Sequence, residues 1–219
     1  NEQVLKDGAH FELSPMYHQI ILLRLLDSIQ LIKLNSGWKK DDLISFLEAK
    51  ASLMISWLDN ITYKNGNIPM LNDATFNIAP NSENIFSYAK HLGINSQNIP
   101  LSDSGYRKIN SNNYELLLDI GNVGPDYQPG HAHSDTFNFE LIIDGNPTFV
   151  DTGISTYEKN SIRQYERATS SHNTVKIGSK EQTQVWGGFR VAKRARINHL
   201  IEKPNLIEAS HDGYLSDGY

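Results

Sequence analysis

The sequence predicts an α+β chain of two parts, α-helical hairpins over residues 1–100 followed by an antiparallel β-sandwich over residues 101–219. Three observations carry that reading. Apolar residues recur at helical spacing through the first part. After about residue 105 the pattern shortens to alternating runs broken by Asn- and Gly-containing turns. Helices followed by strands, rather than alternating with them, argue for two segregated layers with a boundary near 99–105.

The elements follow in order. Ser14-Pro15 is a helix start, with Ser as N-cap and Pro at the first helical position. From Met16 to Leu34 the residues are apolar on nearly every side, as in a helix buried between others. Asn35-Ser36-Gly37 stops it. Asp41 or Asp42 opens a second helix carrying Leu43, Phe46, Leu47, Met54, Trp57 and Leu58. Asn81 or Ser82 opens a third, ended by Gly93. Strands are expected at 106–109, 114–119, 137–143, 147–150, 173–177, 189–192, 195–200 and 206–211. Asp144-Gly145 is a hairpin signal. The last residues, 212–219, read as an interrupted strand and turn.

Composition excludes more than it identifies. With 39% hydrophobic and 21% charged residues, the chain has the make-up of an ordinary globular protein. A formal net charge of −5 argues against nucleic acid as a partner. The absence of cysteine removes disulfide and thiol chemistry. No run of apolar residues is long enough for a membrane span.

The chemistry concentrates between Pro129 and Asn173, where three of the eight histidines lie. His131 and His133 are two apart, so on a strand they share a face. With Asp151 and His172 brought in from neighbouring strands, two imidazoles and one carboxylate form a zinc-type ligand set, leaving one histidine beside the metal. Spacing alone leaves open a plainer reading, in which these are polar residues bonded to backbone at strand ends.

Five stretches together resemble the heparinase II/III-like family of polysaccharide lyases. They are Asp7-Gly8-Ala9-His10-Phe11-Glu12-Leu13-Ser14-Pro15-Met16-Tyr17-His18, Gly130-His131-Ala132-His133-Ser134-Asp135, Val150-Asp151-Thr152-Gly153, Ser171-His172-Asn173-Thr174-Val175 and Trp186-Gly187-Gly188-Phe189-Arg190-Val191. The resemblance implies an α/α toroid joined to a β-sandwich, with a sugar chain in the cleft between them. It implies that the start of the toroid and the end of the sandwich are missing from this chain.

It also implies roles. His133, Asp151 and His172 would hold Zn2+ or another divalent ion, mainly in a structural role. His131 would be catalytic, in a β-elimination that removes the C5 proton of a uronate and expels the 4-O-linked sugar. His10 would neutralise the uronate carboxylate. Tyr63, the only tyrosine at the expected distance from it, would share proton transfer, with Tyr157 or Tyr165 as its replacements. Glu12, Arg190 and Tyr157 are candidate substrate contacts. Tyr17 and His18 read as packing residues. The partner would be an acidic polysaccharide or oligosaccharide, and the full-length protein would be periplasmic or secreted. A glycoside hydrolase is weaker, since no second carboxylate accompanies Glu12 in a comparable motif. A glycan-binding or polysaccharide-assembly protein that keeps the fold and metal is the rival from another class.

Overall fold

The computed structural model describes residues 2–35, 37 and 41–215. Three helices come first: α1 (Pro15–Leu34), α2 (Asp41–Ile61) and α3 (Ser82–His91). The Ser14 side chain accepts from Tyr17 N and Pro15 opens the helix, so α1 starts where its local signals place it. Asn81 caps α3 through Asn84 N in the same way. Asn35 caps the end of α1; Ser36 and residues 216–219, on which two expectations fell, lie outside the described residues.

α1 is less enclosed than its composition suggests. Met16, Leu22, Leu26 and Ile29 are buried, a single stripe at helical spacing. Ile20, Ile21 and Leu25 are half-buried, and Leu31 and Leu34 are exposed. The buried stripe meets Met54, Trp57, Leu58 and Ile61 of α2 and Ile85 of α3.

Strands β1 (Tyr106–Asn110), β2 (Tyr114–Asp119), β3 (Phe139–Ile143) and β4 (Asn146–Phe149) form one antiparallel sheet in sequence order. Asp144 and Gly145 both take positive φ in the β3–β4 turn. A short helix α4 (Ser161–Glu166) and a 3-10 turn (Thr169–Ser171) precede two ribbons, β5 (Val185–Trp186) with β6 (Arg190–Val191), and β7 (Ile197–Lys203) with β8 (Leu206–His211). Two strand expectations fail. Residues 173–177 form no strand, and 131–133 lie in an irregular segment before β3. Asn173 and Thr174 instead donate side-chain hydrogen bonds to the carbonyls of Phe139, Val150 and Thr136, and His131 and His133 turn to Asp73.

The two halves share one core. Tyr106, Leu117 and Ile142 from the sheet belong to the same buried cluster as the helical residues. Trp57 Nε1 donates to Ser104 Oγ at 3.2 Å, and the Asp7 carboxylate accepts from Ser102 N and from Ser104 N and Oγ. The segment 99–105, expected as a boundary, is thus pinned to the N-terminal loop. The loop at residues 70–74 is a second clasp. Gly153 has φ +56°, and a Cβ there would sit 2.3 Å from the Ala74 carbonyl oxygen, so only glycine allows that approach.

Candidate active site and metal centre

The site is built on Asp73, a residue to which the sequence motifs gave no role. Asn72 takes φ +55°, and its side chain accepts from His133 N and donates to the Leu13 carbonyl. Asp73 N donates to the His131 carbonyl at 3.2 Å, and Ser14 Oγ donates to the Asp73 carbonyl at 2.8 Å. These ties hold a fully buried carboxylate between the entry to α1 and the segment carrying both histidines. His131 Nδ1 lies 2.8 Å from Asp73 Oδ2, and His133 Nε2 lies 2.8 Å from Asp73 Oδ1. The buried guanidinium of Arg163 bonds both oxygens of the same carboxylate. Burial alone would raise the Asp73 pKa; donation from His131, His133 and Arg163 outweighs it and holds the group well below the usual carboxylate range.

With Nδ1 tied to Asp73, His131 turns Nε2 towards Glu12, whose Oε2 is 3.7 Å away. Both residues line a cleft of about 770 Å³ with Tyr127, Lys159, Trp186 and Arg190. The β5–β6 ribbon turns sharply at Gly187, φ +57°, and brings Trp186, Phe189 and Arg190 to the cleft wall. Burial raises the Glu12 pKa, reinforced by the Asp73 charge and opposed by His131.

Two tyrosines stand against His131. The Tyr17 ring stacks on it at 4.1 Å, and Tyr17 Oη is 2.8 Å from Tyr157 Oη. Tyr157 stacks on Phe189 at 5.3 Å, and the Arg163 guanidinium lies 5.2 Å from the Tyr157 ring. Burial and the Asp73 charge push the Tyr157 hydroxyl up, so it is a donor at neutral pH.

Behind His131 lies a second constellation. His133, Asp135 and His172 are buried, and one ligand atom from each falls within 4.8 Å of the others. His133 Nδ1, Asp135 Oδ2 and His172 Nε2 are also buried without a hydrogen-bond partner. Unpaired buried donors and acceptors are costly. Each imidazole meanwhile sets its other nitrogen against a carboxylate, His133 Nε2 on Asp73 and His172 Nδ1 on Asp151 at 2.7 Å. That arrangement is typical of metal-bound histidine, so these residues fit a metal ion. Burial opposes the charge on His172, but Asp151 raises its pKa. Asp151 is lowered in turn, His172 outweighing burial. Asp135 is raised, chiefly by burial.

Residues 94–219 match the family profile described as heparinase II/III-like, C-terminal, and residues 1–98 match the heparinase II/III N-terminus. The chain belongs to the heparinase II/III-like family. This heparinase II/III-like chain is similar in fold to a mutant of the heparan sulfate lyase HepC from Pedobacter heparinus. The TM-score is 0.66 at 22% identity, over 98% of this chain and 36% of that one. It is also similar to the heparinase III product of BT4657, with TM-score 0.65 at 19% identity, over 96% and 35% of the two chains. It therefore spans about a third of the length of these relatives. The toroid-and-sandwich class expected from the sequence is the fold they share. No curated protein matches the chain significantly.

Several expected residues sit elsewhere in this family member. Tyr63 does not line the cleft: it is buried in the core, its hydroxyl donating to Glu140 Oε2 at 2.8 Å and its ring beneath Lys108. Burial and Glu140 push its pKa far up, the reverse of what a base needs. His10 is buried behind Glu12, with Nδ1 3.9 Å from Glu12 Oε2, and burial lowers its pKa to about 4. Asp151, expected as the third ligand, has both oxygens engaged, one by His172 and Asn138 and the other by Gly153 N; the three-residue cluster takes Asp135 in its place. Glu12 and Arg190 do line the cleft. Tyr157 stands on its aromatic wall, 5.3 Å from Phe189. Tyr165 is 60% exposed, and the rings against His131 are those of Tyr17, Tyr157 and Phe189. His18 is a packing residue, its Nε2 2.9 Å from the Met54 carbonyl and Nδ1 accepting from His10 N.

Sequence reasoning missed Asp73, Arg163 and Tyr17. Asp73 and Arg163 lie outside the motifs. Tyr17 had one usable signal: as the third residue of a helix capped by Ser14, it sits at the entry that also carries His10 and Glu12.

Proposed function

We propose that this chain is the catalytic-cleft portion of a polysaccharide lyase that cleaves a uronate-containing acidic glycan by β-elimination. The observation that carries the proposal is the Asp73–His131 pair, with Nε2 directed to a cleft beside Glu12 and the Tyr17–Tyr157 hydroxyl pair. His131 Nε2 is the base that takes the C5 proton. A uronate C5 proton becomes removable only when the carboxylate charge is offset. The Arg190 and Lys159 cations on the cleft wall serve that end, with Glu12 beside His131 Nε2 as a further substrate contact. The electron pair left at C5 forms the C4–C5 double bond as the C4–O bond breaks. The leaving oxygen takes its proton from the Tyr17–Tyr157 pair, which replaces Tyr63 in that role. Trp186 and Tyr127, exposed on the cleft, suit stacking against sugar faces.

The metal is proposed as Zn2+, held by His133, His172 and a carboxylate, with the mainly structural role of fixing the segment that bears His131. Two carboxylates compete for the third position. Asp135 has a free oxygen, and Asp151 would ligate by giving up its bond to His172. Zinc stoichiometry in Asp135→Asn and Asp151→Asn separates them.

Among the described residues no helix is long and apolar enough to cross a membrane. A polymeric substrate places the full-length protein in the periplasm or outside the cell. The test is a panel of uronate polysaccharides followed by ultraviolet absorbance of the unsaturated product. New reducing ends without that absorbance would favour hydrolysis. A non-catalytic glycan-binding or polysaccharide-assembly role, which the exposed Trp186 and Tyr127 of the cleft would equally serve, is the second reading. Binding without turnover, here and in the full-length protein, would select it.

A further inference from the structure

We propose that Asp73 is a positioning residue shared by the proton-transfer histidine and the metal-binding histidine, fixing the ring orientation and tautomer of both at once. Its role at His131 rests on the lyase reading above; its role at His133 does not.

The argument begins with acceptor capacity. A carboxylate has two oxygens and no proton to give when ionised. Arg163, itself fully buried, supplies the counter-charge and bonds both oxygens. It is anchored in turn by donating Nε and Nη2 to the Gly188 carbonyl, at 3.1 and 2.9 Å. One lone pair on each oxygen then meets an imidazole nitrogen at 2.8 Å. An ionised acceptor demands an N–H at each contact. In its neutral form His131 must therefore carry its proton on Nδ1, leaving Nε2 bare towards the cleft. Neutral His133 must carry its proton on Nε2, leaving Nδ1 bare towards the cluster with Asp135 and His172. Either ring in the other tautomer would set lone pair against lone pair at a fully buried site.

The carboxylate has little freedom to move. Asp73 is held through its own backbone by His131 and Ser14, and Asn72 beside it accepts from His133 N. Ser14 also caps α1 through Tyr17 N, so one serine sets both Asp73 and the tyrosine stacked on His131. A buried ion pair of Asp73 with Arg163 alone would require neither histidine contact.

Long-range side-chain nitrogen–proton NMR of the zinc-free folded wild type is the primary test. It should find His131 as the Nδ1–H tautomer and His133 as the Nε2–H tautomer; the opposite tautomer at either ring overturns the proposal. In Asp73→Asn, an amide can accept from one ring but donates towards the other, so one tautomer should change. Zinc affinity, read by competition with a chelator, should fall ~10–100-fold. Turnover should fall through kcat rather than KM. His172→Ala should lose zinc yet keep the His131 tautomer. If Asp73→Asn binds zinc as tightly as wild type with both tautomers retained, Asp73 is only the partner of Arg163. Should the variant not fold, the wild-type tautomers still decide. Absence of turnover in the wild type, here and in the full-length protein, would remove the lyase reading and leave the tautomer and zinc measurements standing.

Discussion

Two buried carboxylates, Asp73 and Glu140, each organise a polar cluster, and they behave in opposite ways. Asp73 faces a guanidinium and two imidazoles, and stays ionised although burial works against it. Glu140 accepts from the Tyr63 hydroxyl and from the backbone N–H groups of Met70 and Asp151, all neutral donors. There burial wins and the pKa rises to about 7. The lesson is that a full counter-charge, rather than the number of donors, decides which way a buried acid goes. One cluster holds a fixed charge suited to orienting imidazoles. The other titrates near neutrality and joins the helices to the sheet.

The largest expected effect tests whether chemistry belongs to the first cluster alone. His131→Ala should lower kcat by ~10²–10⁴-fold, the usual contribution of a general base. Its melting temperature should change little, and full turnover of a uronate glycan would remove His131 from the mechanism. Next in size is Asp73→Ala, which leaves the Arg163 charge buried and unpaired. Urea unfolding should show a loss of ~3–5 kcal/mol, and a negligible loss would mean that Arg163 needs no counter-charge.

Stability against pH separates the two clusters more finely. Glu140 has a folded pKa of about 7 against an ordinary 4.5, so the folded state holds its proton more tightly. Its contribution is complete below 4.5 and is lost as pH rises through 7. His18 runs the other way. Its Nδ1 accepts from His10 N, so the ring is neutral, and burial lowers its pKa from 6.5 to about 3. That contribution is present above 6.5 and lost as pH falls towards 3; His10, lowered to about 4, adds to it. Glu140→Gln should flatten the decline on the alkaline side and His18→Gln the decline on the acid side. If both variants keep the wild-type profile, other groups set it.

The smallest effect is the most pointed. Tyr63→Phe removes one hydrogen bond to Glu140 and should cost ~1 kcal/mol of stability, with turnover unchanged. Lost turnover at unchanged stability would return the proton-transfer role to Tyr63 and break the division between the clusters.

How far the site was legible depended on how local its determinants are. His131 and His133 are two residues apart, and any backbone that turns one towards a site brings the other near it. Both do meet Asp73, although on an irregular segment rather than the strand the spacing suggested. Glu12 and Arg190 came from short motifs that the cleft keeps together. Tyr63 was assigned by distance along the chain, which says nothing about which side of a core a ring lies on. Spacing along the chain is equally silent on which acid stands by His133 and His172: Asp135 brings an oxygen within 4.8 Å of both, while the oxygens of Asp151 are bonded to His172, Asn138 and Gly153.

By itself the sequence determined what short-range physics controls. The cap at Ser14, the Asn81-Ser82 helix start, apolar periodicity in α1 and α2, and the Asp144-Gly145 turn set the elements, because each is settled within a few residues. The family followed from motifs of the same local kind. Tertiary structure decided which acid is charged, which tyrosine faces His131, and that a loop aspartate and an arginine 90 residues away form the centre of the site. Those outcomes depend on burial and on partners across space. Both arise only when the chain has closed on itself, so neither is written in the spacing of residues along it.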